Sequence, residues 1–327
     1  MILDRLPDEL HAALSAARDP STAPAERAEM LVEMAMGLQH RPRTVEHLTA
    51  AIGLYDEARA LCPARDTLFA ARIAARQATA LQAIPEPATQ SLERARAAYE
   101  AAIPVLREAG EAAELAEAEM NLGLVLQTLA AAGRARLVDA VAAYQRALRV
   151  FERERYPVEY AILQNNLATA FLSMPLGDER GAIREALAVQ AFEAALEVVT
   201  LVDHPSEYAM LQNNLGNALQ YAPSSHPAEN CLRAIEAYDE ALKVRTRETT
   251  PIEYANTIAN KANCLWSLPD DPAGPGRGAA RHLTRARAYY EEARAIFAAH
   301  GDSEKTQIVG DALMRLDSDL RELGVAG

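Results

Sequence analysis

Cysteine is scarce and unpatterned. Cys62, Cys231 and Cys264 are odd in number, lie far apart, and belong to no C-x-x-C or mixed Cys/His cluster, so neither a disulfide framework nor a zinc site is expected. They read as buried, reduced thiols. Aromatic residues make up only 5% of the chain and β-branched residues are sparse, which removes the usual material of a sheet. No run approaches the length of about 18 apolar residues that a spanning helix needs. The opening MILDRLPDELHAAL carries Asp4, Asp8 and Glu9 and no long apolar core, unlike a secretory leader, so a cytoplasmic location and no membrane insertion are expected. Positive charge is also short. The 33 Lys and Arg residues face 46 Asp and Glu, a formal charge of −13, which opposes nucleic-acid phosphate and favours a basic partner segment.

Signals for chemistry are missing in the same way. Histidines are scattered: His204 and His226 precede prolines, and His40 and His47 flank Pro42 without a third ligand. GPGRG at 274–278 lacks the Lys-Ser/Thr and the preceding strand of a phosphate loop. No nucleophile elbow or paired-carboxylate motif stands out, so the expectation is a non-catalytic protein without metal or cofactor.

What the sequence does have is an internal repeat. PVEYAILQNNLATAFLSM at 157–174 returns as PSEYAMLQNNLGNALQYA at 205–222 and PIEYANTIANKANCLWSL at 251–268, with a weaker copy, ELAEAEMNLGLVLQTL, at 114–129. In the central copy Tyr160, Leu163, Leu167, Phe171 and Met174 fall three or four apart, on one face of a helix. Pro157 suits a helix start and Pro175 a stop. A helix with one apolar stripe must bury it on a neighbour, and a chain of such helices stacks them.

The expected order is a leading helix over 2–17 and a breaker at 18–24, so that residues 1–23 form a cap and linker. An array over 24–299 and a capping segment over 300–327 follow. Six helix pairs are expected: 24–40 with 44–61, 65–83 with 88–109, 111–131 with 134–154, 157–174 with 181–201, 205–222 with 228–247, and 251–268 with 279–299. A last helix covers 302–323. Pro104 should bend the second helix of the second pair or end it early. Each later second helix carries an aromatic with a small residue three on: Tyr144 with Ala147, Phe192 with Ala195, Tyr238 with Ala241. Spacings of 45, 48 and 46 residues separate Asn121, Asn166, Asn214 and Asn260.

N-L-G or N-L-A in a first helix, followed by Ala188, Phe192 and Ala195 or by Ala234, Tyr238 and Ala241 in the next, resembles the tetratricopeptide repeat. P-x-E-Y-A-x-x-Q-N-N-L after A-x-x-A-L-x-V is similar to the long bacterial form of that repeat and to the asparagine-containing repeats of kinesin light chains. The resemblance implies an all-α solenoid of helix-turn-helix units in a right-handed superhelix. First helices would line its concave side, and protein or peptide binding would be its usual role.

Following equivalent positions through the copies yields one row Glu33, Arg76, Asn121, Asn166, Asn214 and Asn260, with further amides at Asn165, Asn213, Asn217, Gln220, Asn256 and Asn263. Amides donate and accept at once, which suits a peptide backbone. The candidate groove is therefore Asn121, Asn165, Asn166, Asn213, Asn214, Asn217, Gln220, Asn256, Asn260 and Asn263, with Tyr221 and Trp266 as apolar anchors. The same asparagines also read as struts between helices, and Trp266 as a filler of the joint to the next helix; both readings stay open. Glu29, Glu33, Arg72 and Arg76 form either a salt-bridge lattice or a charged groove end. Arg134, Arg136, Arg146 and Arg149 make a local basic strip. The function expected is a protein-interaction scaffold or adaptor. The alternatives are self-assembly through the end helices and a regulatory or substrate-presenting subunit of a separate enzyme.

Overall fold

A computed structural model describes residues 14–85, 89–174, 181–222, 227–269 and 277–324. Within them all regular structure is helical. The helices are α1 (Pro24–His40), α2 (Val45–Leu61), α3 (Thr67–Gln82), α4 (Gln90–Ala109), α5 (Ala112–Ala131), α6 (Leu137–Ala147), α7 (Pro157–Leu172), α8 (Gly181–Leu196), α9 (Pro205–Tyr221), α10 (Pro227–Ala241), α11 (Pro251–Ser267), α12 (Arg277–Ala299) and α13 (Ser303–Glu322). Of the expected leading helix only residues 14–17 are described, as a helical turn that buries Leu14 and Ala17. Pro87, Pro175, Pro223, His226, residues 274–276 of the GPGRG segment, and most of the connections at 175–182 and 269–279 lie outside the described residues.

Local chemistry sets the starts. Proline occupies the first turn of α1, α9 and α11, where its missing N–H costs nothing. Asp66 caps α3 by accepting from Phe69 N at 3.1 Å, and Asp302 caps α13 by accepting from Lys305 N at 3.0 Å. Glu111 and Glu114 form a reciprocal capping box on α5. Gly133 and Gly301, at φ 70° and 75°, close the turns after α5 and α12 in the left-handed region that favours glycine.

Three second helices end earlier than their periodicity suggests. α6, α8 and α10 stop at Ala147, Leu196 and Ala241, and the chain then tightens: Val150, Val198 and Val244 donate to Ala147, Ala195 and Ala241 three residues back. Pro104, by contrast, does not end α4, which runs on to Ala109. The carbonyl that loses its partner belongs to Glu100, an exposed residue whose backbone water can satisfy.

The chain divides into two compact units, Met1–Tyr156 and Pro157–Gly327. In the first, consecutive helices from α1 to α6 pack on one another; in the second, consecutive helices from α7 to α13 do the same. One pattern builds both cores. Every second helix of a pair presents Ala-x-x-x-aromatic-x-x-Ala: Ala51-Tyr55-Ala58, Ala95-Tyr99-Ala102, Ala140-Tyr144-Ala147, Ala188-Phe192-Ala195, Ala234-Tyr238-Ala241 and Ala286-Tyr290-Ala293, all essentially without solvent exposure. The small residues let the facing helix approach and the ring fills the space made. Glycines of the first helices complete the fit, since a Cβ on Gly123 would fall 2.4 Å from Tyr144 Cε1 and one on Gly216 would fall 2.5 Å from Tyr238 Cε1.

A candidate protein-interaction face

The buried tyrosines carry a polar end that must be satisfied, and the first helix of each pair satisfies it. Tyr55 donates to Gln39 Oε1 at 2.8 Å, Tyr144 to Gln127 Oε1 at 2.9 Å, and Tyr238 to Asn217 Oδ1 at 2.8 Å and Gln220 Oε1 at 3.2 Å. Tyr290 bonds Asn263, and the Tyr99 hydroxyl lies 2.9 Å from Thr79 Oγ1. Burial raises every one of these phenols, Tyr55 to about 12, so they stay protonated. The fourth pair departs from the pattern at both ends: Phe192 replaces the tyrosine, and Thr169 and Leu172 replace the amides.

Much of the amide row is therefore used inside the fold. Asn217, Gln220 and Asn263 hold tyrosines, and Gln220 Oε1 also accepts from Cys264 Sγ at 3.4 Å. Asn213 is buried, its Oδ1 bonded at 3.1 Å to Thr257 Oγ1 of α11, which in turn accepts from Arg245 at 2.9 Å. Trp266 donates from Nε1 to Asp319 Oδ2 in α13 at 2.7 Å and meets Tyr290 edge-on at 6.4 Å, so it fills the joint to the last helix. Asn121, in the first unit, bonds the Tyr99 hydroxyl.

The remaining candidates keep an open side. Asn214, Asn256 and Asn260 are half-buried, with no side-chain hydrogen bond to another described residue, and Tyr221 is 68% exposed. Asn165 donates to Asn166 Oδ1 at 3.3 Å, while its own Oδ1, closed off from solvent, has no partner among the described residues.

Beside this row lies a feature the repeat text conceals. Between α7 and α9 is a cavity of about 320 Å³. Ala161, Val199 and Leu211 are buried in its wall, and Val158, Ile162 and Met210 stay 51%, 43% and 38% exposed around it. Asn165 lines it, and so do Asp203, His204 and Glu207, all three exposed. The sequence holds a signal for it in the doublets Ile162-Leu163 and Met210-Leu211. Neighbours on a helix point about 100° apart, so when Leu163 and Leu211 enter the core the residue before each cannot follow.

The first unit offers different side chains on its first helices. Arg72 pairs with Glu114 through two contacts, of 2.8 and 3.0 Å, around a smaller cavity of about 120 Å³ that Arg76, Glu117 and Asn121 also line. Burial alone would raise the Glu114 carboxyl, but the Arg72 guanidinium and the Glu111 N–H outweigh it and lower it. The arginine strip is largely neutralised: Arg134 pairs with Glu93, Arg136 with Asp139, and Arg146 with the buried Glu119. Among the described residues no group of three or more His, Cys, Asp or Glu is placed to hold a metal, and no helix is long and apolar enough to cross a membrane.

No family model and no curated protein matches the chain. Among solved structures it is similar to a signal transduction ATPase with numerous domains that carries a tetratricopeptide repeat sensor, from Pyrococcus horikoshii. The TM-score is 0.48 and the identity 13%, over 96% of this chain and 46% of that one, so the chain spans about half the length of that protein.

Proposed function

We propose that the chain is a non-catalytic protein-interaction scaffold that captures a segment of another protein on the α7–α9–α11 face of its second unit. The observation that carries this reading is the exposed apolar trio Val158, Ile162 and Met210 around a preformed cavity, beside amides that the fold leaves open. Apolar anchors in a ready-made depression with a polar border are the ordinary anatomy of a binding hot spot. The likeness of the repeat text to tetratricopeptide repeats supports the same role. The test is affinity capture from a lysate of the source cell with wild type and Ile162→Ser/Met210→Ser. The variant should melt like wild type and lose a specifically retained protein; equal retention by a folded variant overturns the site.

Self-assembly through the last helix is a second reading. It is favoured by Ile308 and Met314, which stay 59% and 64% exposed on α13. It requires a mass that rises with concentration and returns to that of one chain in Ile308→Ser/Met314→Ser.

A further inference from the structure

We infer that the α7–α9 cavity selects a segment in which one large apolar side chain stands close in sequence to a lysine or arginine. This rests on the reading above, that the face binds protein, and adds the chemistry of what it takes. At about 320 Å³ the cavity lies at the small end of the range for ligand sites, roughly 300–1,000 Å³, which fits one or two side chains better than a large cofactor. Its wall asks for an apolar group.

The permanent charges around it have one sign, with the titratable His204 beside them. Asp203 and Glu207 line the cavity and are exposed, no lysine or arginine lines it, and neither carboxylate is ion-paired with a described residue. Asp203 accepts from the Thr200 hydroxyl at 2.7 Å, which holds it in the turn that leads into α9, and Glu207 stands in the first turn of that helix. Two carboxylates beside apolar surface focus a negative potential that a cation on the incoming segment answers, and a carboxylate there would be repelled. The formal charge of −13 on the whole chain acts in the same direction at long range.

The experiment is a selection followed by a charge swap. A phage library of random short peptides is panned against the full chain and, in parallel, against Ile162→Ser/Met210→Ser. The enriched peptides should carry a large aliphatic or aromatic residue with Lys or Arg within about one helical turn of it, and the double variant should not retain them. For one synthetic peptide from that set, Glu207→Lys should weaken binding by about fivefold, the scale of one partly exposed charge pair. Replacing the peptide's basic residue with Glu should weaken binding to wild type and restore it to Glu207→Lys. Glu207→Gln, which only removes the charge, covers the case of a poorly folded reversal. Enrichment that depends on Ile162 and Met210 but shows no basic preference overturns this inference and leaves the binding face standing. Enrichment indifferent to Ile162 and Met210, or none, overturns both.

Discussion

The hydroxyl of the fully buried Tyr238 donates to Asn217 Oδ1 across 2.8 Å, from the second helix of a pair to the first. Gln220 Oε1 lies 3.2 Å from the same hydroxyl, so removal of both acceptors strands a buried donor. Asn217→Ala/Gln220→Ala should therefore cost roughly 1–3 kcal/mol, and Tyr238→Phe about 1 kcal/mol. The α7–α8 pair shows how the bond is dispensed with. Copying it as Tyr238→Phe, Asn217→Thr and Gln220→Leu together should recover most of the loss, because both partners then become undemanding. Chemical denaturation of these variants and the triple variant measures this; a triple variant as weak as the sum of its parts contradicts it.

Gly216 is fixed by the same ring. An alanine there gains about 1 kcal/mol of helix propensity but must displace Tyr238, and overpacking a closed core costs about 1–3 kcal/mol. Gly216→Ala should lower the melting temperature, and Gly216→Ala/Tyr238→Leu should be less destabilised than the two separate losses imply. Strict additivity would show that the ring and the missing Cβ are not in conflict.

Trp266 is the one tryptophan of the chain, and its indole N–H is held by Asp319 of α13. Its emission therefore reports the docking of the last helix. Asp319→Ala should shift the emission to longer wavelength, and removal of residues 302–327 should shift it further. Unchanged emission on removal would mean that the indole is sheltered by something other than α13.

Glu185 is 6% exposed, and its Oε2 has no hydrogen-bond partner among the described residues. Burial raises its carboxyl, with Arg184 only partly opposing. A carboxyl whose folded pKa exceeds its unfolded value binds more protons when folded. Its contribution is thus most favourable below the unfolded pKa and is lost as pH rises through the folded one. Glu185→Gln should be more stable than wild type at pH 7, by a margin that shrinks as pH falls toward 4. A margin independent of pH would show that the group is not shifted.

The helix pairs and the core were legible in the sequence because a small residue three after an aromatic has the same meaning in every copy. The last turns of α6, α8 and α10 were not, since a helix and the tight turns after Ala147, Ala195 and Ala241 share nearly the same periodicity. Recurring asparagines marked positions but not directions. Asn217 and Asn263 point to tyrosines 21 and 27 residues away, Asn213 to a threonine 44 away, and nothing in their own helices names those partners. Trp266 turned inward for the same kind of reason, its partner lying in α13. Val158, Ile162 and Met210 were hidden in the opposite sense. Apolar residues usually enter a core, and only the geometry of the doublets separates the residue that enters the seam from the one left outside.

The most direct test compares two double variants for binding of one partner, with folded fraction measured in the same sample. Ile162→Ser/Met210→Ser should keep the wild-type melting temperature and lose the partner. Asn213→Ala/Asn217→Ala should melt markedly lower yet bind normally while folded. The reverse pattern, with a stable asparagine variant that no longer binds and an Ile162/Met210 variant that still does, would place recognition in the amides and contradict the account.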